Sequence, residues 1–250
     1  TIIFILMSNP SLGEFFQDIS GSIKNNQQRL SYGVSVTDFN KDGNFEFVVT
    51  GFKFPNLVLS YTNGYFENIN KDKLFADENR STIGVAACDI DNDGYEELYF
   101  LNTDTYSGQK QFSDRLLDYD NKITDLFQLD KNIKSLNLTA GRSVACVDRN
   151  GNGKYGIYVA NYGGPTRFYE QKKGSIIDQA PLLNINKITG GRAVISGHIL
   201  SNFMDIFAAN ERGPNFLYIN DNGTFKDVAK NLDVEDTFEN GRGTTLTDFL

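Results

Sequence analysis

Two short stretches place oxygen-bearing side chains at alternate positions ahead of a glycine. The first reads Asp38-Phe39-Asn40-Lys41-Asp42-Gly43-Asn44-Phe45-Glu46 and the second Asp89-Ile90-Asp91-Asn92-Asp93-Gly94-Tyr95-Glu96-Glu97. Oxygens at the first, third and fifth positions of a tight loop converge on one point. Glycine at the sixth permits the turn that lets the carbonyl of the seventh, Asn44 or Tyr95, join them. Calcium, a hard cation wanting about six to eight oxygens, suits that cage. An EF-hand would carry glutamate at the twelfth position, where this chain has Val49 and Phe100. The acid stands instead at the ninth, Glu46 and Glu97, and the loop runs straight into a β-pattern. A metal-free Asx/Gly turn is the other use of such residues, but clustered carboxylates repel one another unless a cation is present. The expected calcium ligands are Asp38, Asn40, Asp42, Asn44 (carbonyl) and Glu46, then Asp89, Asp91, Asp93, Tyr95 (carbonyl) and Glu97. Asparagine at position 40 makes the first site the weaker.

A third loop, Asp148-Arg149-Asn150-Gly151-Asn152-Gly153-Lys154-Tyr155-Gly156, keeps the spacing but retains one carboxylate and lacks the acid at the ninth position. Asp148, Asn150, Asn152 and the Lys154 carbonyl could still ligate, and the site is weak or empty because affinity follows ligand charge. The fourth stretch, from His198 through Ser201-Asn202 to Asp205, has lost the pattern, so that turn must hold without metal.

These loops sit in an internal repeat. Gly33-Val34-Ser35-Val36-Thr37-Asp38 returns as Gly84-Val85-Ala86-Ala87-Cys88-Asp89, and a Gly-Arg variant opens at 141, 191 and 241. The anchors are 38, 89, 148, 198 and 248, separated by 51, 59, 50 and 50 residues. A Phe-x-Asp/Asn-Ile/Val phrase at Phe16, Phe66 and Phe225 keeps step with them, as do Pro55-Asn56-Leu57, Gly164-Pro165-Thr166 and Gly213-Pro214-Asn215. Phe45 to Thr50, Leu98 to Leu101, Ile157 to Ala160 and Asp205 to Ala208 are short aromatic or β-branched runs in one slot of the unit. Helical periodicity is absent except for a short candidate at 131–138. A unit this long holds about four short strands, one propeller blade. Stacking blades covers faces that a lone small sheet leaves bare. The expected fold is an all-β propeller of about four blades plus the start of a fifth over 14–250.

Composition agrees. The 250 residues are 40% hydrophobic, 13% aromatic and 22% charged, with a net charge of -8. That balance excludes a nucleic-acid binder. The single histidine, His198, excludes a zinc hydrolase built on several imidazoles. Cys88 and Cys146 are too few for a disulfide framework. They stand one and two residues before their anchors, which aims them at opposite faces of equivalent strands. Two readings stay open: buried thiols, or, with His198, soft metal ligands near the propeller axis. The apolar run within 1–13 reads as a signal-peptide remnant or leader, or else as a half-buried first strand. Asp248-Phe249-Leu250 stops inside the repeat pattern, as in a piece of a longer chain. Sequons at Asn79, Asn137 and Asn222 become glycosylation candidates if the chain is secreted.

The ordered phrases GVSVTDFNKDGNFEFVVTG, GVAACDIDNDGYEELYFLNT, AGRSVACVDRNGNGKYGIYVANY and DIFAANERGPNFLYINDNGTF resemble the FG-GAP/VCBS repeat superfamily, the propeller of integrin α-subunit heads, and within it the cartilage acidic protein 1 family. The resemblance implies a seven-bladed parent propeller and a secreted, calcium-binding extracellular-matrix glycoprotein with an extracellular-matrix or cell-surface protein partner. No enzyme is expected, because the recognisable polar constellations are metal cages and none resembles a nucleophile–base pair; the acidic balance leaves no nucleic-acid partner, and no apolar stretch is long enough for membrane insertion in this segment. The competing readings are a propeller that acts on polysaccharides, which needs an acid–base pair at the funnel mouth, and an integrin-like adhesion head.

Overall fold

The computed structural model describes residues 17–120 and 122–247. The apolar run within 1–13, Phe16 and the fifth anchor Asp248 lie outside them. Among the described residues sixteen strands form four successive antiparallel meanders of four. The first blade is β1 (Val34–Thr37), β2 (Glu46–Val49), β3 (Leu57–Thr62) and β4 (Tyr65–Asn68). The second is β5 (Thr82–Cys88), β6 (Glu97–Asn102), β7 (Arg115–Asp120) and β8 (Lys122–Asp125). The third is β9 (Gly141–Val147), β10 (Gly156–Pro165), β11 (Arg167–Lys172) and β12 (Ser175–Asp178), and the fourth is β13 (Ile188–Gly197), β14 (Asp205–Asn210), β15 (Phe216–Asp221) and β16 (Thr224–Asp227). The expected short helix is a 3-10 turn, Asp130–Ser135. Among the described residues no helix is long and apolar enough to cross a membrane.

The blades stack through apolar residues that alternate along each strand. On β5, Val85 and Ala87 turn toward blade 1 while Ala86 and Cys88 turn toward blade 3. On β9, Val144 and Cys146 turn toward blade 2, and Ala145 and Val147 toward blade 4. The innermost strands β1, β5, β9 and β13 are neighbours in turn. Close packing between blades explains the phased glycines: a Cβ at Gly33 would lie 2.9 Å from Gly84 Cα of the next innermost strand, and one at Gly141 would lie 2.2 Å from Leu101 Cδ1 of β6.

The phased Asp/Asn of the outer strands also has a structural job. Asn68, Asp125, Asp178 and Asp227 end β4, β8, β12 and β16. Each accepts from the first residues of the neighbouring strand, Val58, Leu116, Phe168 and Leu217. Each also accepts from an N–H two residues onward, at Asn70, Phe127, Ala180 and Ala229. This staple closes every blade.

Between blades the seams differ. Isolated bridges join Phe52 to Ser81, Gln109 to Thr139 and Glu211 to Asn240, the last where the chain enters a fifth unit. Between blades 3 and 4, β10 runs on to pair Tyr162, Gly164 and Pro165 with Gly190, Thr189 and Ile188 of β13, merging both blades into one eight-stranded sheet.

Cys88 and Cys146 form a disulfide across the interface of blades 2 and 3, with Cα atoms 5.6 Å apart. This corrects both expectations for the cysteines. Among the described residues there is no free thiol and hence no soft-ligand site, and His198 is exposed at its anchor. The opposite facing read from the sequence is what brings the two together, because opposite faces of successive strands meet across an interblade gap.

Candidate metal centres

Each candidate loop joins the innermost strand of a blade to the second. In the ladders Thr37 pairs with Glu46, Cys88 with Glu97, Val147 with Gly156 and Gly197 with Asp205. The residue that opens the second strand, the ninth loop position in the first three loops and the eighth in the fourth, sits where the hairpin closes, and its acids are buried: Glu46 and Asp205 are 0% exposed and Glu97 3%.

In the second loop the ligand oxygens of Asp89, Asp91 and Glu97 lie within 4.8 Å of one another. Gly94 has φ +92°, the left-handed conformation the turn demands. Asp89 accepts from the N–H groups of Asn92, Asp93 and Gly94, Asp91 from Asp93, and Asp93 from Tyr95. Glu97 accepts from Ile90 N–H. Burial pushes the Glu97 carboxyl up to about 8, and Asp91, Asp118 and Asp93 add to the shift against that one donor.

In the first loop Asp38 accepts from Asp42 and Gly43 N–H, and Asn40 Oδ1 also accepts from Asp42. Asp42 accepts from Asn44. Glu46 Oε2 accepts from Phe39 N–H at 3.1 Å, while Glu46 Oε1 is buried with no hydrogen bond of ordinary geometry, although the Ser60 hydroxyl stands close enough to favour the charged carboxyl. That oxygen fits a metal ligand, since a buried carboxylate oxygen short of partners is costly. Burial raises the Glu46 carboxyl as well. The two loops touch: Lys41 Nζ lies 4.0 Å from the Tyr95 ring centroid and 3.9 Å from Asp93.

The third loop keeps the turn without the charge. Asp148 accepts from Asn150 and Gly153 N–H, and Asn152 from Lys154. No acid fits at the ninth position, because a Cβ on Gly156 would meet the Phe168 ring at 2.5 Å. Arg149 brings a cation of its own to this loop, pairing with Glu170 and donating to the Gly223 carbonyl of the next blade.

The fourth loop is held by a residue the sequence pattern did not reveal. Asp205 Oδ2 accepts from the N–H groups of Ile199, Leu200 and Ser201, and Oδ1 from Ser201 Oγ and Asn220 N–H. Burial works against its charge, but the Asn220, Leu200 and Ser201 donors prevail and hold the carboxyl below its ordinary value. Asp205 fills the register position of Glu46 and Glu97 and turns toward backbone donors. The loop is one residue shorter, so counting from the anchor missed the equivalence.

Of the sequon asparagines, Asn79 and Asn222 are exposed. Asn137 is 0% exposed, and its amide bonds Asp114 and Asn161. A glycan there is incompatible with this packing, which corrects that candidate.

Repeated four-stranded blades joined through loops of this pattern define a class, and the family model for FG-GAP-like repeats matches residues 38–100. The fold is that of a propeller fragment carrying FG-GAP-like repeats. It is similar to cartilage acidic protein 1 of Xenopus tropicalis, Mus musculus and Homo sapiens, 43% identical in each case over 251 aligned positions that cover 90% of this chain. The chain spans 39% of the length of the first two relatives and 38% of the third. Among solved structures, BBS1N in complex with ARL6DN superposes with a TM-score of 0.47 at 10% identity, covering 79% of this chain and 57% of that one.

Proposed function

We propose that this chain is the calcium-stabilised part of a secreted extracellular-matrix glycoprotein, a non-enzymatic propeller that presents its loops to a matrix or cell-surface protein. The observation that carries the reading is the meeting of Asp89, Asp91 and the buried Glu97. Asp89, Asp91, Asp93, Glu97 and the Tyr95 carbonyl would hold one calcium ion, and Asp38, Asn40, Asp42, Glu46 and the Asn44 carbonyl a weaker second. The ion would supply the charge that lets Glu46 and Glu97 ionise inside the hairpins. Extracellular sites of this kind have dissociation constants of about 10⁻⁴ to 10⁻³ M, so the ion is structural rather than a signal.

An extracellular setting is supported by the Cys88–Cys146 disulfide, which belongs to oxidising compartments. A scaffold rather than an enzyme is supported by where acids converge. The ion-pairing Lys110 and Asp114, with Tyr99, also meet, but they are 3%, 0% and 0% exposed and out of reach of a substrate.

The test is a pair of thermal melts, in millimolar calcium and in chelator, with calcium titration calorimetry on the same protein. A calcium-dependent rise in Tm and saturable binding are expected. Superimposable melts and no binding heat would remove the ion from the fold.

A further inference from the structure

At the other ends of the innermost strands from the metal loops opens a cavity of about 1010 Å³. Six residues before each repeat anchor stand Tyr32, Ile83, Arg142, Arg192 and Arg242, and all five line it. Three of them are the extra residues of β-bulges. Thr82 and Gly84 pair with Asn102 and Leu101, Gly141 and Ser143 with Asn161 and Ala160, and Gly191 and Ala193 with Asn210 and Ala209. Ile83, Arg142 and Arg192 are left between the rungs. A bulge takes its extra residue out of the ladder and re-aims its side chain, and here the same device repeats blade by blade toward one point.

The wall so made has two characters. Tyr32 and Ile83, with Phe52 and Phe112, form an apolar side. Arg80 lies over one of these rings, 5.3 Å from the Phe112 centroid, and three further guanidiniums line the same cavity. Arg142 and Arg192 lie 5.4 and 5.5 Å from the Tyr106 ring centroid and 5.6 and 5.1 Å from that of Tyr162, so two like charges share one pair of rings. Arg192 and Arg242 share a single carboxylate, Glu211. Arg142 donates to Thr103 Oγ1 and to the carbonyls of Gly141, Thr105 and Tyr106, with Nε buried and unpartnered. Of the other charged lining residues, Arg80 pairs with Asp77 and Asp104 accepts from Gln111 and Phe112 N–H, while Lys53 and Glu78 offset each other in sign. The axis thus gathers three guanidiniums against two carboxylates, Glu211 and Asp104, a local excess of positive charge in a chain of net charge -8. Concave walls concentrate such a field on whatever enters.

The geometry points to a binding site for a small acidic saccharide, its carboxylate or sulfate seated among Arg142, Arg192 and Arg242 and its ring against Tyr32 and Phe52. The guanidinium fork matches the planar carboxylate and the sulfate face. Sugar C–H faces suit the aromatic side, and hydroxyls reach Asn79, Ser81 and Thr103 on the rim. The volume suits a ligand of roughly disaccharide size, at the upper end of the small-molecule range.

The test is titration calorimetry of the protein in calcium-containing buffer against four probes: a sulfated heparin disaccharide, a carboxylate-only hyaluronan disaccharide, inorganic sulfate and a hexaglutamate peptide. One or both disaccharides are expected to bind at least tenfold more tightly than sulfate or the peptide. The Arg242 side chain is 69% exposed, so Arg242→Gln should fold normally and weaken that binding by about tenfold, the worth of one charge-assisted contact. Arg192→Gln should weaken it at least as much. Absence of disaccharide binding, equal affinity for inorganic sulfate, tighter binding of hexaglutamate, or full affinity in both variants would each overturn the assignment. Because the metal loops lie at the far ends of the strands, calcium-dependent melting of Arg242→Gln should match the parent and reports separately on the proposed scaffold role.

Discussion

Cys88 and Cys146 are bonded to each other from the innermost strands of consecutive blades, 58 residues apart in sequence, with Cys88 sealed in the core that blades 2 and 3 share. The bond ties two stacked sheets directly.

Replacing both cysteines with alanine should lower unfolding stability by about 2–4 kcal/mol, chiefly by loosening the unfolded chain. Urea unfolding of the parent with and without reductant, beside the double variant, checks it. Reductant should shift the parent to the variant's midpoint and leave the variant unmoved.

For the metal loops the expected order of effect follows the carboxylates. Glu97→Gln should abolish most of the calcium-induced rise in Tm, and Asp38→Asn should remove a smaller part. Asp148→Asn should leave the calcium response unchanged, because Gly156 stands where the first two loops have their buried acid. Differential scanning calorimetry with and without calcium measures all three.

Asp205 gives a pH signature independent of metal. Its folded carboxyl titrates below its ordinary value. Its contribution is therefore full above the unfolded pKa, near 3.8, and is lost as pH falls through the depressed folded one. Asp205→Asn should cost about 3 kcal/mol at neutral pH, since an amide nitrogen would face N–H donors in place of a charged acceptor. Stability measured by urea from pH 6 to pH 2 should fall less steeply in the variant.

Lys110 and Asp114 form an ion pair with both side chains 0% exposed, and Tyr99 and Asn137 also donate to Asp114. Burial depresses the Lys110 ammonium and Asp114 restores it in part. Lys110→Met should destabilise the protein by about 3–5 kcal/mol by leaving a buried carboxylate without its cation. Chemical denaturation of that variant beside Lys24→Met, whose ion pair is exposed, separates burial from loss of charge.

Material secreted from a glycosylating host should carry glycans at Asn79 and Asn222 and none at Asn137. Peptide mass mapping decides this. Asn137→Gln should leave the glycan mass unchanged and lower stability, because the amide joins Asp114 to Asn161.

What the sequence disclosed was local. The candidate ligands lie within nine residues and the repeat phase recurs at nearly fixed spacing, so the blades, the strand slots and the loops proposed to hold calcium could be read directly, and in the second loop Asp89, Asp91 and Glu97 do meet. The remainder depends on partners far apart in the chain. Asp205 is recognised as the counterpart of Glu97 only through the Gly197 rung, after a loop one residue shorter. The cysteines pair because neighbouring sheets present opposite faces, a relation between blades that no single strand contains. The Asn137 sequon is a local signal, whereas its enclosure beside Asp114 is set by residues 23 and 24 positions away. The Gly-Arg pairs stood out as a repeat, but their bulges belong to the ladder.

The run of β10 past its own blade into β13 has a mechanical consequence. The junction of blades 1 and 2 has an isolated bridge with a few loop hydrogen bonds, and that of blades 2 and 3 adds the Cys88–Cys146 bond; this one is a rung-by-rung weld, so the third and fourth units should yield to heat or pulling as one cooperative block. Compliance then gathers at the Phe52–Ser81 bridge, making the array stiffer toward its C-terminal half and giving it a built-in direction of bending.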